Sequence, residues 1–245
     1  MRRLLATTAA LLAASLAACS AHGVEHDDDA TPGLKASGSG GERHYTVASF
    51  DKVALGAAGE VEVRTGQAFG LTVTGDPADL DQLKVTVNGS TLGLGRKSGS
   101  YHDAGKVRWT VTMPRIAGAD IGGSGAIRID KADGGDFTGN IGGSGDISVA
   151  AMKVGKASFN IGGSGNIAAA GTADSLGLAI GGSGKLLATP LTAQTADITI
   201  AGAGTIEATV KKTAEVTILG SGDVTVAGGA KCSVTKMGGG TVHCG

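Results

Sequence analysis

The densest group of polar and aromatic side chains in the sequence is Tyr101, His102 and Asp103, followed by Trp109. An exposed aromatic ring offers a sugar an apolar surface for stacking, and a neighbouring carboxylate accepts hydrogen bonds from sugar hydroxyls. Because the chain has only one Trp, two Tyr and four Phe, few other rings could do this. The group predicts a ligand-binding loop, with an ordinary loop tip as the alternative.

Catalysis would need further residues at suitable spacing. Glycoside cleavage uses two facing carboxylates. Six acidic side chains of the C-terminal half do not recur at one position of the repeat described below; these six are Asp130, Asp133, Asp136, Asp174, Asp197 and Glu207. Serines do recur, but His243 is the only histidine among residues 116–245 that could activate one. We therefore predict no catalytic residues, and a polysaccharide lyase or hydrolase remains the alternative function.

Two glycine-rich patterns point weakly to ions. The segment Gly142–Val149 is similar to a calcium-binding β-roll repeat, but only Asp146 and Asp223 are acidic at that position of the repeat. Ca²⁺ prefers six to eight oxygen ligands. Gly184–Leu186 begins like a phosphate-binding loop but lacks the hydroxyl that should follow its lysine. The sequence therefore predicts neither a bound metal nor a cofactor.

The N-terminus has the pattern of a lipoprotein export signal. An apolar segment, too short to span a bilayer as a helix, follows Arg2 and Arg3. It ends in Leu-Ala-Ala-Cys at Leu16–Cys19, which resembles the lipobox of bacterial lipoproteins, where the cysteine thiol receives a diacylglycerol. We predict a signal peptide over 1–18 and a lipid on Cys19. The alternative is an ordinary secretory peptide that contains a cysteine.

The resemblance to lipoproteins also implies a location. Ser20 stands where lipoproteins kept at the inner membrane carry Asp, so we expect the chain at the outer membrane, on its periplasmic or its surface face. Residues 19–43 are rich in Gly, Ser and Asp and poor in apolar side chains, which predicts a disordered tether. Without Arg2 and Arg3, 19 of the 21 basic residues remain against 22 acidic ones. This slightly acidic balance does not favour binding to nucleic acid. The expected partner is the membrane, which the chain would contact through the lipid on Cys19.

Cys232 and Cys244 are the two cysteines that remain if Cys19 is lipidated. An even pair in an oxidising compartment predicts a disulfide. The two residues lie six positions on either side of Gly238, so their bond would pin the C-terminal edge of the domain. A metal site built from this pair and His243 would lack a fourth ligand.

A sequence repeat extends over the C-terminal half and must position the cysteine pair and the acidic and serine side chains named above. The pattern Ile-Gly-Gly-Ser-Gly-x-Ile begins at Ile121, Ile141 and Ile161; diverging copies begin at Ile180, Ile200, Ile218 and Lys236. The copies start 18 to 20 residues apart, and apolar side chains alternate on both sides of each Gly-rich corner. Alternation with period two predicts strands. The glycines predict positive φ values and a tight corner, and a Cβ would obstruct that corner.

One repeat is too thin to bury its own apolar face, so successive repeats are expected to stack as the coils of a parallel β-helix. Stacking in register places like residues in columns, with the isoleucines inward and Ser124, Ser144, Ser164 and Ser183 along the corner. A polar column is expected from Asp120, Asn140, Asn160, Thr199, Thr217 and Thr235. Neighbouring Asn and Thr side chains can hydrogen-bond along such a column. The regular coils are predicted over 116–245.

The preceding residues follow the same pattern less regularly. Residues 53–63 align without gaps on 216–226, and Asn88-Gly89 predicts a hairpin turn. Further strands are predicted at Leu71–Thr74, Leu83–Val87, Thr91–Leu94 and Val107–Met113. We treat 44–245 as one all-β domain whose residues 44–115 form irregular first coils or a separate cap.

Residues 44–245 resemble the head GIN domain family, which is described as auto-transporter adhesins and has no assigned biochemical function. The resemblance is carried by the Gly-Ser-Gly corners and by Phe50–Val53, Gly59–Gly66, Leu71–Asp76, Leu80–Leu92 and Val111–Pro114. It implies a single-stranded right-handed parallel β-helix in the cell envelope. The expected function is a non-enzymatic, lipid-anchored envelope protein for adhesion, binding or scaffolding, with a glycan or another envelope protein as partner.

Overall fold

The structure of the protein, a computed structural model, describes residues 32–98 and 107–245. Several predicted sites lie outside the described residues: the signal peptide 1–18, the lipidation site Cys19, and Tyr101, His102 and Asp103. Nearly all regular structure in the described part is β-strand. Within it, no helix has the length and apolar character needed to cross a bilayer.

Eight strands and one short helix precede the regular repeat. They are β1 (Ala36–Ser37), β2 (Glu42–Tyr45), β3 (Lys52–Leu55), β4 (Glu60–Thr65), β5 (Gly70–Thr74), α1 (Pro77–Leu80), β6 (Leu83–Asn88), β7 (Thr91–Arg96) and β8 (Arg108–Met113). The strands of the repeat are β9 (Gly118–Ile121), β10 (Ala126–Ile129), β11 (Ala132–Asp133), β12 (Asp136–Ile141), β13 (Asp146–Ile161), β14 (Asn166–Ile180), β15 (Lys185–Ile200), β16 (Thr205–Leu219), β17 (Asp223–Ala227), β18 (Lys231–Met237) and β19 (Thr241–Cys244).

Each regular coil folds around one Gly-rich corner and stacks on the next coil. The strand before the corner pairs in parallel with its equivalents, so that β12 lies between β9 and β13. The same register continues from β13 through β14 and β15 to β16. The chain is therefore a single-stranded parallel β-helix, as the repeat predicts.

The inward isoleucines form one continuous column through the stack. Ile141 has Ile121 as its neighbour on one side and Ile161 on the other, and the register extends to Ile218. The isoleucines of the column are at most 2 % exposed. Burying one such side chain contributes roughly 1.5–3 kcal/mol, so the column stabilises coils that have no core of their own. The predicted column is confirmed.

The corner glycines are needed for close approach rather than for positive φ values. Among the glycines of the regular corners, only Gly220 and Gly238 have φ in the left-handed region, so that part of the prediction is wrong. The obstruction by a Cβ is confirmed. A Cβ on Gly125 would lie 2.7 Å from the carbonyl oxygen of Gly59, one coil away. Stacking of the coils at the normal strand spacing therefore requires glycine at this position, because any Cβ would collide with the neighbouring coil.

The predicted polar column is also present. Asn140 donates from Nδ2 to Oδ1 of Asp120 at 2.6 Å, and Asn160 donates from Nδ2 to Oδ1 of Asn140 at 2.9 Å. Each amide thus donates to the coil before it and leaves its oxygen for the coil after it. These bonds hold neighbouring coils in register on the outer surface, opposite the isoleucines.

The first coil in the sequence is not the first layer of the stack. β3 and β4 pair in parallel with β9 and β10, so residues 53–63 occupy the coil position that their alignment predicts. On their other side lie β7 and β8, which come later in the chain. The chain therefore forms one coil, leaves it to build a further layer beyond it, and returns to start the regular stack at β9.

Antiparallel strands close the N-terminal end as a cap. β8 is followed across the sheet by β5, β2 and β1, and β6 forms a hairpin with β7. The predicted tether over 19–43 is too long, because Ala36–Ser37 pairs with His44–Tyr45. This pairing satisfies backbone hydrogen bonds in a segment with few apolar side chains. Composition reports side chains and not backbone pairing, so it does not predict this short strand.

The C-terminal end of the described stack presents strand edges. β18 and β19 pair with β16 and β17, and Val234 and Met237 are 47 % and 65 % exposed. In the isoleucine column this coil carries Lys236 opposite Ile218. Its Nζ donates to the carbonyl oxygen of Gly240 at 2.9 Å. A charged side chain at an inward position opposes the addition of a foreign strand.

Candidate functional surface

Three outward columns of mostly small polar side chains cover the strands that precede the corners, and we call this surface the polar face. The column nearest the corner is Asp120, Asn140, Asn160, Ala179, Thr199, Thr217 and Thr235. The middle column is Gly118, Thr138, Ser158, Gly177, Asp197, Glu215 and Ser233. The outer column is Asp136, Lys156, Ser175, Thr195, Thr213 and Lys231.

The polar face can offer hydrogen bonds at a regular spacing. Its hydroxyl and amide groups both donate and accept. Neighbouring strands lie about 4.8 Å apart, so the groups follow one another at that spacing except where Gly118, Gly177 and Ala179 interrupt the columns. Seven strands give a surface of roughly 30 Å along the stack. Such an array suits a ligand that is itself repetitive and polar, such as a glycan.

Asp197 and Glu215 are direct neighbours in the middle column, a pair that the sequence analysis missed. The signal in the sequence is the repeat alignment, which places Glu215 one coil after Asp197. Both side chains are exposed. Neighbouring carboxylates repel each other, and nothing in the described structure encloses this pair in a cleft.

Trp109 is not an exposed stacking residue, so this part of the predicted ligand loop is wrong. It lies within β8, opposite Val61 and Val73 of the adjacent strands, and is 0 % exposed. The alternation of Val107, Trp109 and Val111 could have revealed this, because the three side chains share one face of the strand. The residues 101–103 lie outside the described structure, within the connection between β7 and β8.

No group of three or more His, Cys, Asp or Glu side chains converges as a potential metal site in residues 32–98 and 107–245. The remaining sequence-derived site is the cysteine pair. Cys232 lies opposite Ala214, and Cys244 lies opposite Val226. Their Cα atoms are 6.6 Å apart and their sulfurs are within bonding distance, a separation compatible with a disulfide. The bond would join the two edge strands of the last coil.

We expect the cysteine pair to be oxidised in protein exported with Cys19→Ser. Thiol titration after unfolding should find no free thiol without reductant and two with it. Reduction should destabilise the terminal coil by about 3 kcal/mol, because the bond closes a short loop of the unfolded chain. Two free thiols in the unreduced sample would contradict the prediction. A chain with Cys232→Ser and Cys244→Ser is the control, since reductant should leave its stability unchanged.

Comparison with known proteins adds a family to this geometry. The sequence profile of the family described as "Putative auto-transporter adhesin, head GIN domain" matches residues 49–230. A search of curated proteins found no match. Similar solved structures include a putative adhesin from Bacteroides fragilis, with 23% identity, a TM-score of 0.76, and coverage of 83% of this chain and 95% of that one.

A putative lipid binding protein from Parabacteroides distasonis is 24% identical, with a TM-score of 0.67 and coverage of 83% of this chain and 96% of that one. A putative adhesin from Parabacteroides merdae is 17% identical, with a TM-score of 0.67 and coverage of 83% and 95%. At these identities the likeness concerns the fold. The profile match extends over most of the coils and the cap. The chain therefore belongs to the head GIN domain family.

Proposed function

We propose that the protein is a non-enzymatic, lipid-anchored protein of the bacterial cell envelope that binds a glycan or another envelope protein through its polar face. The observation that carries this proposal is the array of small hydroxyl and amide side chains in three columns. The description of the family and of similar structures as adhesins supports the same role.

Binding through the polar face can be tested with stacked threonine pairs. Thr199→Lys with Thr217→Lys places two long cations on the polar face, where the residues are direct neighbours. Thr172→Lys with Thr192→Lys makes the same change on another side of the helix, again at neighbouring positions. On a panel of immobilised polysaccharides and envelope fractions, the first pair is expected to abolish binding and the second to preserve it. Equal effects of the two pairs would contradict the proposal.

The alternative function is a carbohydrate-active enzyme, and the neighbouring carboxylates of Asp197 and Glu215 are the observation that favours it. Retaining glycosidases hold two carboxyl groups about 5 Å apart. Shortening of a polysaccharide by the purified protein, and its loss in Asp197→Asn or Glu215→Gln, would establish this function. We expect no cleavage, because both side chains are exposed on an open strand surface.

The lipid anchor has its own test. Cys19→Ser is expected to release the protein from membranes, and inhibition of the lipoprotein signal peptidase is expected to accumulate a precursor that retains residues 1–18. The physical reason is that acyl chains contribute about 0.8 kcal/mol per buried methylene, so several chains hold a water-soluble domain firmly. Membrane association that survives Cys19→Ser in full, together with normal processing under inhibition, would contradict lipidation.

A further inference from the structure

The last coil of the described stack has strands with one neighbour each. Among the described strands, β18 pairs with β16 alone and β19 pairs with β17 alone. Strands of the earlier coils lie between two neighbours, as β12 lies between β9 and β13. Alternate backbone N–H and C=O groups of β18 therefore face outward along the helix axis, where a further strand can pair with them. We call this open side of Lys231–Met237 the terminal edge.

Inward side chains at the terminal edge are exposed because no coil covers them. Val234 is 47 % exposed, whereas its neighbour in β16, Val216, is 1 % exposed. A strand laid along the terminal edge would remove the apolar surface of Val234 from water, which favours association. The backbone of β18 and this valine thus both suit an added strand.

Lys236 sets a condition that such a strand must meet. It stands in the isoleucine column, opposite Ile218, and its side chain is exposed. Its Nζ donates to the carbonyl oxygen of Gly240 at 2.9 Å, which uses one of the three donors of the ammonium group. Within residues 32–98 and 107–245, no carboxylate forms an ion pair with Lys236.

A strand on the terminal edge would enclose the ammonium group of Lys236. Burying an unpaired charge is costly, whereas an opposed carboxylate compensates the charge in place. The last coil does not supply this carboxylate, since residues 231–245 contain no Asp or Glu. The lysine that opposes an uncharged strand therefore admits a strand with an acidic side chain at the matching inward position.

We infer that the terminal edge binds an extended segment of a partner protein, which pairs with β18 and places a carboxylate opposite Lys236. Two residues before the carboxylate, the segment carries an apolar side chain opposite Val234, because inward side chains alternate along a strand. Main-chain hydrogen bonds give such a complex its affinity, and the side chains give it specificity. This interaction uses the backbone and inward side chains of β18, whereas the polar face uses outward side chains.

The test uses the full chain with Cys19→Ser and three labelled peptides with the sequence of residues 213–219, the segment that pairs with the other side of β18. One peptide carries Ile218→Glu, which lies opposite Lys236 if the peptide keeps the parallel register of the stack. The second carries Ile218→Lys, and the third is unchanged. By fluorescence anisotropy, we expect the acidic peptide to bind most tightly, at least about tenfold more tightly than the basic one, because opposed like charges repel.

Charge reversal separates the position of Lys236 from the overall charge of the protein. Lys236→Glu should reverse the preference, so that the basic peptide binds more tightly than the acidic one. Lys236→Gln should remove the preference, and it repeats the test if the reversed variant is unstable. Lys212→Glu makes the same charge change at an exposed position of the neighbouring strand β16 and should keep the original preference.

Equal binding of the three peptides, or binding of none, would overturn the inference. A change of preference in Lys212→Glu as large as that in Lys236→Glu would also overturn it, because it would show diffuse attraction. Sedimentation equilibrium tests the competing occupant, a second copy of the chain, and we expect the mass of a monomer at all concentrations. Self-association that Lys236→Glu abolishes would show that the terminal edge joins two copies, and the assignment to a partner protein would be wrong.

Discussion

Replacing Gly163 by Ala is expected to destabilise the protein by about 3 kcal/mol, whereas Gly162→Ala should cost nothing. A Cβ on Gly163 would overlap the carbonyl oxygen of Gly143, one coil away. A Cβ on Gly162 would have the carbonyl oxygen of Ile141 as its nearest neighbour, at 3.8 Å. The two glycines are adjacent in the chain, and neither has φ in the left-handed region. The expected difference therefore comes from coil spacing alone.

The other coils support this expectation. The position of Gly162 carries Gly, Ala, Leu and Met in different repeats, at Gly142, Gly181, Ala201, Leu219 and Met237. The position of Gly163 carries only Gly throughout the seven repeats, from Gly123 to Gly238. Stacked carbonyls leave no room for a side chain at the second corner position, while the first position points into solvent. Comparison of the repeats thus indicates that the first corner glycine can be replaced and the second cannot.

Thermal unfolding is the suitable measurement. For a domain of this size a loss of 3 kcal/mol lowers the midpoint by about 8 °C. Gly162→Ala should keep or slightly raise the midpoint, because it restricts the unfolded chain at a compatible backbone conformation. Similar midpoints for the two variants would mean that the coils can separate locally at the corner, and the close-approach explanation would fail.

The regular half of the fold could be predicted because each repeat states the same arrangement. The isoleucine column and the Asp120–Asn140–Asn160 bonds follow once the copies are aligned. The cap could not be predicted in the same way. The layer formed by β7 and β8 depends on pairing with β3 and β4, which precede them by tens of residues. No repeat in the sequence reports that order, because pairing between non-consecutive segments is decided by tertiary packing.

The candidate surfaces divide along the same line. The polar face follows from the repeat, and so does the neighbouring pair of Asp197 and Glu215 once Glu215 is aligned. A cavity on the N-terminal cap does not, since Lys35, Lys84 and Lys97, which line it, come from three separate segments. Lys35 lies within the segment 19–43, which the sequence predicts to be a disordered tether. Its place at the cavity depends on the short strand β1, whose two residues are too few to produce a periodic signal.

Trp109→Ala is expected to destabilise the protein by about 3–5 kcal/mol. The indole is 0 % exposed in β8 and contributes the largest fully buried side chain of the core. Truncation would leave a cavity among Val61, Val73 and Val111, whose β-strand backbones cannot move in to fill it. The urea midpoint is the measurement, with Ile161→Val as a control for the loss of a single buried methylene, expected to cost about 1 kcal/mol.

Trp109→Phe separates the packing role of the ring from any role in binding. The indole Nε1 is buried and has no hydrogen-bond partner in the described structure, so losing this N–H removes an unsatisfied donor and offsets part of the lost contact. We expect Trp109→Phe to cost less than about 1.5 kcal/mol of unfolding free energy and to retain any binding to polysaccharides or envelope fractions. Loss of binding in this folded variant would place the indole at a ligand and contradict its burial. Loss in Trp109→Ala alone would report only the unfolding of the cap.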